Sequence, residues 1–120
     1  MRAHVLIART GATAAVAGVA LALVFAFTSA FASSGKTIKV GDNYFVKPGG
    51  TTVTVKRGTT VTWRWSGRTI HNVTVRKGPV RFASRTQARG TFSRRLTKAG
   101  TYSLICTIHG PAMTMKLRVT

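Results

Sequence analysis

The chain has 120 residues and carries 19 lysines and arginines against one acidic residue, Asp42, for a formal net charge of +18. An electrostatic field of this sign repels cations and attracts anionic surfaces and acidic partners. The single cysteine, Cys106, excludes an intramolecular disulfide.

The first 32 residues have the composition of an export signal. Arg2 and Arg9 supply a positively charged start, residues 11–27 form an uncharged apolar run, and Ala30-Phe31-Ala32 matches a small-residue cleavage site. We therefore predict a signal peptide at residues 1–32. The apolar run also reaches about 17 residues, the lower limit for a membrane span, so an uncleaved anchor is the alternative.

Removal of this segment leaves a domain at residues 33–120, which is long enough for one small core and no more. The domain keeps 17 basic residues against Asp42, a net charge of +16, because only Arg2 and Arg9 are lost. We expect it to be exported to the periplasm or the cell exterior, or to be tethered to the membrane if the anchor is retained.

From Lys36 onward, short runs rich in threonine, valine and aromatic residues alternate with turn signals about every ten residues, which is typical of β-sandwiches and barrels. The least regular stretch, residues 80–88, is predicted as a loop or a broken strand. The predicted strands, in chain order, are Thr37–Val40, Tyr44–Lys47, Thr51–Lys56, Thr60–Trp65, Ile70–Arg76, Thr91–Leu96, Thr101–Cys106 and Thr114–Val119.

Alternation within these strands indicates which side chains face the core, because successive strand residues point to opposite faces. His71, Cys106 and Met113 each lie at the end of a core-facing row. The other members of these rows are Val73 and Val75, then Tyr102 and Leu104, then Met115, Leu117 and Val119. Three potential metal ligands are therefore predicted to converge at one end of the core.

The densest group of such side chains is the run Cys106-Thr107-Ile108-His109-Gly110-Pro111-Ala112-Met113. With His71 it supplies one thiolate, two imidazoles and one thioether. A trigonal site of two histidines and one cysteine with a weak axial methionine suits copper that cycles between two oxidation states. The pattern predicts a mononuclear copper site for electron transfer.

These residues resemble the small blue copper proteins, the cupredoxin family that includes plastocyanins, amicyanins and pseudoazurins. The resemblance extends from Lys36 to Thr120 and includes Asp42-Asn43-Tyr44-Phe45, Trp63, His71-Asn72-Val73, and Gly100-Thr101-Tyr102 before Cys106. It implies an all-β fold, a Greek-key β-sandwich of about seven to eight strands. It also implies one copper ion, Cu(I) or Cu(II), with the ligands His71, Cys106, His109 and Met113.

The resemblance implies roles for neighbouring residues as well. Asn72 would tie the two ligand loops together and support the thiolate. His109 would lie near the surface, where electrons enter and leave through a patch completed by Gly110, Pro111 and Ala112. The spacing from His109 to Met113 falls between the two that are common in the family, so Met115, on the same core-facing parity, is the alternative axial ligand.

The sequence thus predicts an exported blue copper protein that shuttles single electrons between redox partners and is not an enzyme. A copper carrier or storage protein without redox turnover is one alternative, and a metal-free cationic domain that binds polyanions is another. A cysteine hydrolase is disfavoured because only Asp42 could orient a histidine. A multicopper oxidase is disfavoured because the two histidines of the mature domain cannot supply further copper centres.

We expect the partner to be a redox protein with an acidic docking surface, which would meet both the His109 patch and the basic surface. An anionic membrane or cell-wall surface is a second candidate. Export argues against nucleic acid as the physiological ligand, although the charge favours non-specific binding. We expect the protein to be a monomer.

Overall fold

The computed structural model describes residues 34–120, so the predicted signal peptide lies outside the described residues. Within that part of the chain, no helix is long and apolar enough to cross a membrane. The described residues form eight strands: β1 (Gly35–Gly41), β2 (Tyr44–Phe45), β3 (Thr52–Val55), β4 (Thr60–Trp65), β5 (Thr74–Lys77), β6 (Thr91–Arg95), β7 (Gly100–Cys106) and β8 (Gly110–Val119).

The strands form two four-stranded sheets, ordered β2-β1-β4-β6 and β3-β8-β7-β5. Each sheet is mixed, because β1 runs parallel to β4 and β3 runs parallel to β8, whereas the remaining neighbours are antiparallel. Buried side chains from both sheets form one hydrophobic core. The predicted all-β sandwich is confirmed.

The alternation predicted from the sequence determines what the core contains. Along β4 the buried residues are Val61, Trp63 and Trp65, and along β8 every second residue from Met113 to Val119 is buried. Burial of these large apolar side chains is the main source of stability in a domain that has no disulfide among its described residues. The metal-ligating residue types lie at one end of this core.

Many predicted strand boundaries were wrong by one or two residues, and the two largest errors, of four residues each, concern the site. The fifth strand begins at Thr74 rather than Ile70, because His71 forms only an isolated bridge with Gln87. The last strand begins at Gly110 rather than Thr114, because the pairing shifts after Ile105 and brings Cys106 opposite Gly110.

A smaller error concerns the second strand, which ends at Phe45 rather than Lys47. Val46 has a φ of 69°, and the amide of Lys47 donates to the carbonyl of Phe45, so the chain turns there. Residues 80–88 are irregular, as predicted, with isolated bridges at Ala83 and Gln87.

Candidate metal centre

Three of the predicted ligands meet at one end of the sandwich. Cys106 is the last residue of β7, His109 lies in the turn between β7 and β8, and His71 lies between β4 and β5. One ligand atom from each of these residues lies within 4.8 Å of the others. His71 and Cys106 are completely buried, whereas His109 is half-buried.

The imidazole of His71 is held between the thiol and the only carboxylate side chain. Its Nδ1 lies 4.0 Å from Cys106 Sγ, and its Nε2 lies 3.0 Å from Asp42 Oδ1 and 3.0 Å from Thr69 Oγ1. The carboxylate also accepts hydrogen bonds from the amides of Arg68 and Thr69. Bonds from His71, Arg68 and Thr69 hold the pKa of Asp42 well below its usual range, because they favour the charged form.

Asn72 connects the two segments that carry the histidines and the cysteine. Its Nδ2 donates to Thr107 Oγ1 at 2.7 Å, and its Oδ1 accepts from the amide of Thr107 at 3.1 Å. Thr107 directly follows Cys106, so this reciprocal pair fixes the chain beside the thiol. Nδ2 also donates to Thr86, and Oδ1 accepts from Thr74. Asn72 alternates with the core-facing His71 and Val73, and these bonds explain why it is buried as well.

Both candidate axial methionines lie in β8 and are buried, with 0% of Met113 and 3% of Met115 exposed. Met115 is paired with Leu104, whereas Met113 and Cys106 each lie one residue beyond the Ile105–Thr114 pair. Met113 is therefore at the level of the thiol along the sandwich, and Met115 lies deeper, among the core residues.

The predicted surface patch contains more apolar area than the sequence analysis assigned to it. Pro111 and Ala112 are exposed and Gly110 is half-buried. Ile70 and Ile108, which directly precede the two histidines, are 49% and 48% exposed. The imidazole rings of these histidines lie 4.9 Å apart, so both isoleucines add apolar surface at this end of the molecule.

Sequence reasoning missed the contact between Asp42 and His71. The sequence did contain a clue to this contact, because Asp42 is the one acidic residue beside 17 basic residues in the predicted mature domain. A carboxylate that pairs with none of these lysines and arginines is unusual, and here it lies against a histidine of the site.

The residues of the site fit a copper ion. The Nε2 atom of His109 is buried and has no hydrogen-bond partner, which is costly for a polar atom unless a further ligand satisfies it. With metal bonds to nitrogen and sulfur of about 2.0–2.3 Å, a single ion can bridge His71 Nδ1 and Cys106 Sγ at their separation of 4.0 Å. Thiolate, thioether and imidazole are ligands that suit copper.

Comparison with known proteins gives an independent indication of the family. Residues 30–120 match the family of copper-binding proteins described as plastocyanin/azurin. No curated protein sequence matches the chain significantly.

Several solved structures are similar to this fold. An oxidised methionine-to-leucine variant of amicyanin is 27% identical, with a TM-score of 0.60 over 71% of this chain and 81% of that one. A reduced tryptophan-to-tyrosine variant of amicyanin is 26% identical, with a TM-score of 0.62 over 77% of this chain and 88% of that one.

The copper-containing nitrite reductase from Thermus scotoductus is 26% identical, with a TM-score of 0.63 over 72% of this chain. The match covers only 22% of the reductase, so this chain spans about a fifth of that enzyme. The family match covers three quarters of the chain, and the site contains the residue types that copper requires. The chain therefore belongs to the plastocyanin/azurin family of copper-binding proteins.

Proposed function

We propose that this protein is an exported blue copper electron carrier in which His71, Cys106, His109 and Met113 hold the metal. The observation that carries the proposal is the convergence of two imidazoles and one thiol within 4.8 Å. Met113, buried at the level of the thiol, supports the choice of axial ligand. The composition of residues 1–32 supports export.

When bound, copper supplies one-electron chemistry between its two oxidation states. The protein contributes a preformed and dry site: Cys106 has no exposed surface, and Asn72 fixes the residue after it. A site held between two packed sheets changes little when its charge changes, which keeps electron transfer fast. The half-buried His109 is the proposed route for electrons to and from the surface.

A hydrolytic role is a poorer explanation of the same residues. Cys106, His71 and Asp42 follow one another as thiol, imidazole and carboxylate, an order that activates nucleophiles in some enzymes. The thiol is completely buried, however, and Sγ lies 4.0 Å from Nδ1. A substrate has no access to sulfur in this position. We therefore propose that the protein is not an enzyme.

The test of the copper site is the visible spectrum of the purified protein after stoichiometric copper(II), beside the Cys106→Ser variant. We expect an intense thiolate-to-copper band that a mild reductant bleaches and that the variant lacks. A colourless protein that retains copper would support the carrier or storage alternative. A protein that retains no copper would support the metal-free cationic domain.

We further propose that the redox partner has an acidic docking surface. In residues 34–120, no lysine or arginine forms a salt bridge with an acidic side chain. The positive charge of these residues is therefore not neutralised within the domain and can attract an acidic partner. A hollow beside the predicted patch is lined by Arg76 and Arg81 as well as Gly110 and Pro111. Basic residues therefore border the apolar surface around His109.

Electron transfer to small oxidants of opposite charge tests this proposal. The rate with an anionic cyanide complex of iron should fall as salt rises, because screening weakens the attraction, and the rate with a cationic cobalt complex should rise. Arg76→Glu should weaken the salt dependence of the rate that is measured with the anionic iron complex. Lys36→Glu is the matched control, because β1 starts at the opposite end of the sandwich from the site. Equal salt dependence in both variants would contradict docking near Arg76.

A further inference from the structure

Asp42 lies just beyond the end of β1, and the chain of residues 66–71 folds around its carboxylate. Oδ1 accepts from the amide of Thr69 at 3.1 Å, from Thr69 Oγ1 at 2.9 Å and from His71 Nε2 at 3.0 Å. The amide of Arg68 lies 3.0 Å from both carboxylate oxygens. The carboxylate thus receives hydrogen bonds from three residues of this loop, Arg68, Thr69 and His71.

The loop approaches Asp42 so closely that only glycine fits at position 67. A Cβ atom built at Gly67 would collide with the Asp42 carboxylate and lie 2.9 Å from its backbone nitrogen. In the described residues, His71 is the one charged or titratable side chain within ion-pair distance of the carboxylate. The loop therefore places this carboxylate against a histidine and away from the 17 basic side chains.

This contact determines which nitrogen of His71 carries the proton. An ionised carboxylate only accepts hydrogen bonds, so the Nε2 atom that faces Asp42 must be the donor. In the neutral imidazole the proton is then absent from Nδ1, whose lone pair faces Cys106 Sγ at 4.0 Å. The tautomer that Asp42 selects is the one that offers a free lone pair to a metal between His71 and Cys106.

We propose that Asp42 is a positioning residue that fixes His71 as its Nε2–H tautomer and raises the donor strength of Nδ1 toward copper. The proposal rests on the proposed function in one respect, namely that His71 is a copper ligand. Carboxylates that accept from ligating imidazoles orient the ring and increase its basicity, and their loss typically lowers metal affinity about 10- to 100-fold.

The negative charge favours the more positive ion, so copper(II) benefits more than copper(I). Asp42→Asn keeps the size of the side chain but replaces one acceptor with an amide donor. We expect copper(II) affinity to fall about tenfold and the ratio of oxidised to reduced protein, at a fixed ambient potential, to fall three- to tenfold. For a one-electron couple this corresponds to a potential raised by about 30 to 60 mV.

The first measurement is nitrogen NMR of the histidine rings in copper-free wild-type protein, which needs no variant to fold. We expect His71 to show a single Nε2–H tautomer. A protonated Nδ1, or a mixture of tautomers, in the wild-type protein would overturn the proposal. In Asp42→Asn we expect a mixture, and retention of a single Nε2–H tautomer would count against Asp42 as its cause.

The second measurement is the reduction potential of the copper-loaded proteins. Thr101→Lys is the control, because it adds the same single charge as Asp42→Asn at an exposed position at the start of β7, away from Cys106. A raised potential in Asp42→Asn alone supports the proposal. Equal shifts in both variants, or none in either, would overturn the tuning of copper. If the wild-type protein binds no copper, the proposed function fails while the NMR result still decides the role of Asp42.

Discussion

The two histidines of the metal centre are held in opposite ways. His71 is completely buried, and its Nε2 contacts both Asp42 and Thr69. His109 is half-buried, and its Nε2 has no hydrogen-bond partner among the described residues. The fold thus positions one imidazole through polar contacts and leaves the other without such support.

This difference corresponds to the surroundings of the two segments that carry the histidines. The loop of residues 66–72 is fixed by the carboxylate of Asp42 and the amide of Asn72. The segment 106–113 contains the exposed Ile108, Pro111 and Ala112, which belong to the surface through which we propose that electrons pass. We expect the loop of residues 66–72 to be ordered without metal. We expect the segment 106–113 to become more ordered when copper binds the imidazole of His109.

Removal of each imidazole gives the largest expected effect and tests this difference directly. His71→Gly and His109→Gly should each weaken copper binding by at least about 100-fold, more than the loss of a hydrogen-bond partner of a ligand. Added imidazole should restore the thiolate band in His109→Gly, where the gap opens toward solvent, and not in His71→Gly, where it is buried. Equal rescue of both variants would show that the two sides do not differ in access.

The next effect concerns the contact between the two segments. Asn72→Ala removes the reciprocal pair with Thr107 and leaves polar groups without partners, so unfolding of the copper-free protein should become easier by about 2 to 3 kcal/mol. Thr86→Val removes one of the bonds of Asn72 and should cost about 1 kcal/mol. Chemical denaturation measures both variants. Similar losses would mean that the pair with Thr107 contributes little.

A smaller effect is expected at the turn that returns the chain from His109 to β8. Gly110 has a φ of 60°, a conformation that costs other residues about 1 to 2 kcal/mol. Gly110→Ala should lower stability by that amount, although a side chain there meets no neighbouring atom. Gly35→Ala, at a position without a positive φ, is the control and should be close to neutral in thermal unfolding.

The smallest effect on stability is expected for the methionines. Met113→Leu and Met115→Leu nearly conserve volume, so each should cost less than about 1.5 kcal/mol. Only the change at the axial ligand should alter the visible spectrum and the potential, and we expect this for Met113. A spectral change in Met115→Leu alone would assign the axial position to Met115.

The sequence predicted the sandwich because several strands, β3, β4 and β8 among them, show a clear period of two. In β4 and β8 the alternating residues are buried as the pattern indicates, because the apolar face of a strand turns toward the core whichever strand lies beside it. The ligand types were also evident, since Cys106, His109 and Met113 lie within one short segment. The family followed from these residues.

Only the tertiary structure brought together residues that are distant in the chain. Asp42 and His71 are 29 residues apart, and Asn72 and Thr107 are 35 apart. Their contacts depend on the order of strands in the two sheets and on the shift of register after Ile105. A local pattern specifies which face of a strand is buried, but its neighbours in space are decided by pairing between segments far apart in sequence.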